Sequence, residues 1–239
     1  RNRGIEKSKG EILVFLDCDQ IVSPDFLEEH LYLFDKFGNN NDILQFGTRK
    51  SMKRTIPYNP DQQLITNKID FADDSRNYVF QIFSHNMSII KSKWHLAFSN
   101  NISTKKEIID KLGGFDENFI GWGLEDIEFA YRLYKNCVKV VYKPNIEVIH
   151  QYHENFFDEK RYTKWNRNLK YFINKHSEIP VLLQGIFADF FDPIKRAVKQ
   201  QKGISYVWLH CFIKFENALR CLDRPVNKIN NVDITLIRP

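Results

Sequence analysis

The chain has 239 residues, 43% of them apolar and 27% charged, with 35 Lys and Arg against 30 Asp and Glu. This is enough apolar length to bury a full core in one or two domains, while a net charge of +5 with no long basic block excludes a nucleic-acid binder. No apolar run reaches the roughly 18 residues that a spanning helix needs, and the opening Arg1-Asn2-Arg3-Gly4 has no apolar leader.

These features describe a cytoplasmic globular protein without a transmembrane segment. Cys18, Cys137, Cys211 and Cys221 form no CxxC pair and read as reduced thiols, with a Cys211 to Cys221 disulfide as the alternative. In chain order, Ile12-Leu13-Val14-Phe15-Leu16 is a continuous apolar run, the pattern of a parallel strand covered on both faces. It ends at Asp17-Cys18-Asp19. Ser23-Pro24-Asp25 then supplies an N-cap, a first-turn proline and a first-turn acid for a helix through Phe37, stopped by Gly38. A second strand is expected over Ile43 to Phe46, followed by a long polar connection through about Asn77. Within it, Arg49-Lys50-Ser51-Met52-Lys53-Arg54 reads as a solvated loop or as a phosphate or acceptor contact.

Phe80 to Ile90 and Trp94 to Asn100 read as strands, and Thr104 to Leu112 as a short helix closed by Gly113-Gly114. After Gly121-Trp122-Gly123, a helix is expected over Glu125 to Asn136, then two short strands, Val138 to Tyr142 and Glu147 to His150. From about residue 156 the pattern becomes helical. Ile204, Val207, Trp208, Cys211, Phe212, Phe215, Leu219 and Leu222 form one amphipathic stripe, which needs the core or a second subunit to cover it.

Two constellations carry chemistry. On an extended strand end, residues i and i+2 face the same way, so Asp17 and Asp19 would present two carboxylates to one hard cation beyond the strand. Magnesium or manganese held this way completes its shell with substrate phosphates; a solvated turn is the plainer alternative. Glu125 and Asp126 open a helix whose terminal amides favour negative charge, and on local sequence alone they read equally as dipole acids and as catalytic ones.

The segment from Arg1-Asn2-Arg3-Gly4 to Asp17-Cys18-Asp19 resembles the middle of family-2-type GT-A glycosyltransferases. Gly113 to Leu133, with Gly121-Trp122-Gly123-Leu124-Glu125-Asp126, resembles the C-terminal motif of β-1,4-galactosyltransferases and chondroitin-synthesising enzymes. The resemblance implies an α/β fold of the GT-A (Rossmann-like) class, a mixed sheet flanked by helices. Residues 1–155 would be its metal-, donor- and acceptor-binding part and residues 156–239 a helical C-terminal extension, able to mediate a homo-oligomer. It implies Asp17 and Asp19 on the metal and on the donor diphosphate, joined on the donor by Arg3 and Asn101. His150 would complete the metal shell, with His153 as the substitute. Asp126 would be the base. Glu125 would orient an acceptor packed on Gly121 and Trp122, with inversion at the anomeric carbon. The family's nucleoside-binding first half would precede Arg1.

The function expected is a Mn²⁺- or Mg²⁺-dependent inverting transferase that moves a hexose or N-acetylhexosamine from a nucleotide sugar, UDP-linked by analogy, to a glycan, peptide or small-molecule acceptor. Two alternatives stand beside it, a nucleotidyltransferase and a non-catalytic glycan-binding module derived from a transferase.

Overall fold

The computed structural model describes residues 1–37, 42–55, 70–153, 159–182 and 212–220. The described helices are α1 (Asn2–Lys7), α2 (Phe26–Phe37), α3 (Ser75–Ile82), α4 (Lys106–Leu112), α5 (Glu125–Lys135) and α6 (Glu159–Lys175), with a further helical segment at 212–220. The strands are β1 (Ile12–Leu16), β2 (Gln20–Val22), β3 (Ile43–Met52), β4 (Phe71–Asp73), β5 (Asn101–Lys105) and β6 (Lys139–His150). They form one mixed sheet in the order β1-β5-β3-β6-β2, with β4 also on β3; β3 and β6 are parallel and the other pairs antiparallel. Helices flank this sheet, as the GT-A class requires.

Helix α2 starts where the Ser23-Pro24-Asp25 signal places it, and its Phe26, His30 and Phe34 recur every fourth residue as the buried face. β1 departs from expectation. It pairs with β5 alone among the described strands and is antiparallel, so it stands at the sheet's edge with only Leu13 fully buried. A continuous apolar run records burial potential but does not name its partners.

The regions read as strands at Phe80 to Ile90 and Trp94 to Asn100 are helical instead. Asp74 caps α3 by accepting from the Arg76 amide, and 3-10 turns follow at Met87–Ile89 and Lys93–Leu96. Short apolar runs suit either state, and the cap at Asp74 was the deciding signal. The strand that does form here, β5, is Asn-Ile-Ser-Thr-Lys, with all five residues buried. Its Ser103 pairs with His30 of α2 and Gln45 of β3, and its Thr104 donates to the Ile43 carbonyl. The basic cluster is no loop over Arg49 to Met52, which lie in β3. The two short strands expected at the end of this region are one, β6, and its Pro144 sits where the β3 register slips between Phe46 and Thr48.

Gly47 lies inside that slip. A Cβ there would overlap the Ile146 carbonyl and the Asn101 amide, which donates to Thr48 O and Ile146 O, both at 3.0 Å. Gly47→Ala is therefore expected to destabilise the fold by about 1–3 kcal/mol, read as a lower denaturation midpoint at unchanged slope.

The described C-terminal helical residues share the core of the sheet. Leu169, Phe172, Val181, Phe212, Phe215 and Leu219 belong to the same buried cluster as Phe46, Ile102 and Phe129. Glu216 accepts from the Lys91 and Ser92 amides and from the Ser92 hydroxyl, locking segment 212–220 onto the turn before Trp94. The apolar stripe is thus covered by its own chain at Phe212, Phe215 and Leu219; its remaining residues, like Cys211 and Cys221, lie outside the described residues. Cys18 and Cys137 are free thiols. Among the described residues no helix is long and apolar enough to cross a membrane.

Candidate active site

After β1 the chain turns at Cys18 and Asp19 into β2, with the Gln20 amide closing on the Asp17 carbonyl. β2 pairs with the far end of β6, Gln20 opposite His150, and the Gln151 amide donates to Asp19 O. This pairing brings Asp19 against two imidazoles. Asp19 Oδ2 lies 3.2 Å from His150 Nε2 and 3.4 Å from His153 Nε2, and the two imidazole nitrogens are 3.2 Å apart. One donor atom from each of the three residues falls within 4.8 Å of the others, and Asp19 Oδ1 is buried with no described partner.

Asp17 stands outside this three-donor cluster, so the Asp17 and Asp19 carboxylates do not converge with the imidazoles as one set. The i, i+2 argument requires an extended chain, and a turn intervenes at Cys18-Asp19. Asp17 remains coupled to the cluster. Burial raises its pKa, Arg1 opposes that rise, and the charges of Asp126 and Asp19 add to it. Burial lowers the pKa of His150 while Asp19 opposes the shift, which favours the neutral imidazole that can ligate a metal.

The second constellation is built by a glycine loop. Gly121 and Gly123 hold φ of +88° and +97°, and Leu124 follows in the left-handed region, a sequence of turns that aims the start of α5 inward. Asp126 Oδ1 accepts from Ser99 Oγ at 2.6 Å and from Arg1 Nη1 at 2.9 Å; the same Arg1 nitrogen reaches Glu125 Oε1 at 3.3 Å. Burial and the neighbouring Asp126 raise the Glu125 pKa, partly offset by Arg1. Beside this pair opens a cleft of about 330 Å³ lined by Arg1, Phe115, Glu117, Phe119, Gly121 and Glu125 among others. Trp122 is 44% exposed, with the Arg161 guanidinium 5.8 Å from its ring.

Residues 1–178 match the family described as Glycosyltransferase like family 2. The chain belongs to that family. Among its curated relatives, a chondroitin synthase of Pasteurella multocida (strain Pm70) is 32% identical over 158 residues, 57% of this chain and 16% of the relative. A chondroitin synthase of Escherichia coli is 25% identical over 150 residues, 56% of this chain and 22% of the relative. A validoxylamine A glucosyltransferase of Streptomyces hygroscopicus subsp. jinggangensis (strain 5008) is 24% identical over 196 residues, 78% of this chain and 46% of the relative. The chain therefore spans less than half the length of each of these relatives.

Within this family-2 domain, the charges of Asp19 and Asp126 both act on Asp17 and add to the rise in its pKa. Arg3 is exposed on α1, and it is Arg1 that reaches the acid pair. Asn101 is fully buried with its amide nitrogen committed to β3 and β6, so it braces the sheet beneath the site. Sequence reading missed Arg1 and Ser99 and ranked His153 below His150, although the structure brings both imidazoles to Asp19.

It also missed α6 as a wall of the site. Lys164 packs its stem against Gly121, Trp165 covers Gly123, and Asn168 donates to the Gly123 carbonyl at 2.9 Å. One turn into α5, Glu128 is fully buried and is held by His176 at 3.0 Å, Lys175 at 2.9 Å and Arg132 at 3.1 Å. Burial would raise its pKa, but these three partners outweigh that and bring it down to about 2. A carboxylate depressed below its ordinary 4.5 stabilises the fold fully above that value and loses its contribution as pH falls towards 2. Glu128→Ala is expected to cost about 1–3 kcal/mol at neutral pH, since it removes the buried carboxylate that ties α5 to Arg132, Lys175 and His176. Denaturant titration should show that deficit shrinking below about pH 4.

Proposed function

We propose that the chain is the catalytic part of a metal-dependent inverting glycosyltransferase that uses a nucleoside diphosphate sugar, UDP-linked, to glycosylate a glycan or small-molecule acceptor. The observation that carries this reading is the convergence of Asp19, His150 and His153 on one point, in a chain whose Glu125 and Asp126 are braced by Arg1.

The three donors fit a divalent cation on their own chemistry: one carboxylate, two imidazoles, and a buried carboxylate oxygen without a partner. Mn²⁺ or Mg²⁺ at this place would neutralise the departing diphosphate. Asp17 adds a further carboxylate whose ionisation is opposed by the charge of Asp19. Asp126 takes the proton of the acceptor hydroxyl, and Glu125 orients that hydroxyl from the adjacent helix position. Trp122 offers an aromatic face for a sugar ring, on the loop that Gly121 turns at positive φ. One base and one electrophilic site suit a single displacement, hence inversion.

Family membership favours sugar transfer over nucleotidyl transfer, and the acid pair intact at its helix start favours catalysis over a binding module. Relatives named for chondroitin synthesis and for glucosylation of validoxylamine A motivate testing polymeric and small acceptors alike. The experiment is a screen of uridine and guanosine diphosphate sugars with the full chain, with and without manganese, reading released nucleoside diphosphate. Manganese-dependent release from one donor is expected; release of pyrophosphate instead, or none from any donor, overturns the reading.

A further inference from the structure

Asp126 presents two chemically different oxygens. Oδ1 accepts from Ser99 Oγ and from Arg1 Nη1, which fills both of its lone-pair directions. Oδ2 receives no hydrogen bond from any described residue. The Ser99 contact, at 2.6 Å, has the length of a hydroxyl donating to an ionised oxygen. Ser99 itself is 1% exposed, and its turn is fixed by the Asn101 amide donating to Phe98 O at 3.2 Å. A hydroxyl this buried and this constrained has one proton and one place to put it.

The geometry points to Ser99 as the positioning residue that makes Asp126 Oδ2 the proton-accepting atom. The inference rests on Asp126 being the base. With Oδ1 held by two donors, Oδ2 is the oxygen left to take the acceptor's proton. In the transfer step the acceptor O–H bond breaks and its proton goes to Oδ2. The acceptor oxygen bonds the anomeric carbon, and the bond from that carbon to the diphosphate breaks with its electron pair staying on the phosphate oxygen. Ser99 touches neither substrate; it acts through Asp126. Arg1 shares the oxygen but divides its donors with Glu125, so it cannot fix the orientation alone.

The test is a double-mutant cycle on nucleoside diphosphate release from the donor found in the screen, using the full chain. Ser99→Ala should lower kcat about tenfold with the donor KM and the thermal midpoint essentially unchanged. In an Asp126→Ala background, Ser99→Ala should cause no further loss of the residual rate. Equal proportional losses in both backgrounds would make Ser99 an ordinary core residue and overturn the inference, as would an unchanged kcat in the single variant. If Asp126→Ala alone leaves turnover intact, the assignment of the base fails first, and that result is distinguishable from failure of Ser99.

Discussion

Asp126→Asn is expected to lower transfer by about three orders of magnitude in kcat while leaving donor KM close to its starting value. The substitution keeps the shape of the side chain and an oxygen that can still accept from Ser99, and Arg1 retains Glu125 as a partner. What it removes is the charge and the free oxygen able to take a proton. A purely structural aspartate at the first turn of α5 would behave differently. Asparagine there would cost well under about 1 kcal/mol of helix-dipole stabilisation and leave the rate near normal. Steady-state release of nucleoside diphosphate, with manganese saturating, separates the two. Turnover within tenfold of the parent chain would remove Asp126 from the mechanism.

The second large effect is expected at Asp19. Asp19→Ala should weaken manganese binding by at least about a hundredfold, because loss of even an outer partner of a metal ligand costs 10–100-fold and Asp19 is the cluster's only anion. The two remaining imidazoles, 3.2 Å apart at Nε2, would keep a residual site for softer cations. A manganese titration followed by electron paramagnetic resonance measures this without any substrate. Equal affinity in the parent and the variant would locate the ion elsewhere, whatever the activity did. Asp17→Asn provides the internal comparison, since Asp17 lies outside the three-donor cluster and should matter less to ion affinity than Asp19.

Much of the site was legible before any fold was known. The turn after β1, the glycine loop and the start of α5 are local features, written by an apolar run, by glycines at positive φ and by an acid-rich first turn. The errors also have local causes. Val79 and Phe80 are apolar enough for a strand, but the Asp74 cap commits them to α3. β5 was invisible because its burial is offset by hydrogen bonds that join Ser103, Thr104 and Asn101 to β3 and β6 rather than by apolar side chains.

By itself, then, the amino-acid sequence determined which short segments carry chemistry, because caps, periodicity and glycine conformations act within a few residues. Only the tertiary structure decided their partners. Ser99 and Arg1 meet Asp126 from 27 and 125 positions away, and His150 and His153 reach Asp19 because β2 pairs with the end of β6. α6 closes over Gly121 and Gly123 because its apolar face shares the sheet's core. Such contacts depend on how the chain minimises exposed apolar area and satisfies buried polar groups as a whole, which no local window encodes.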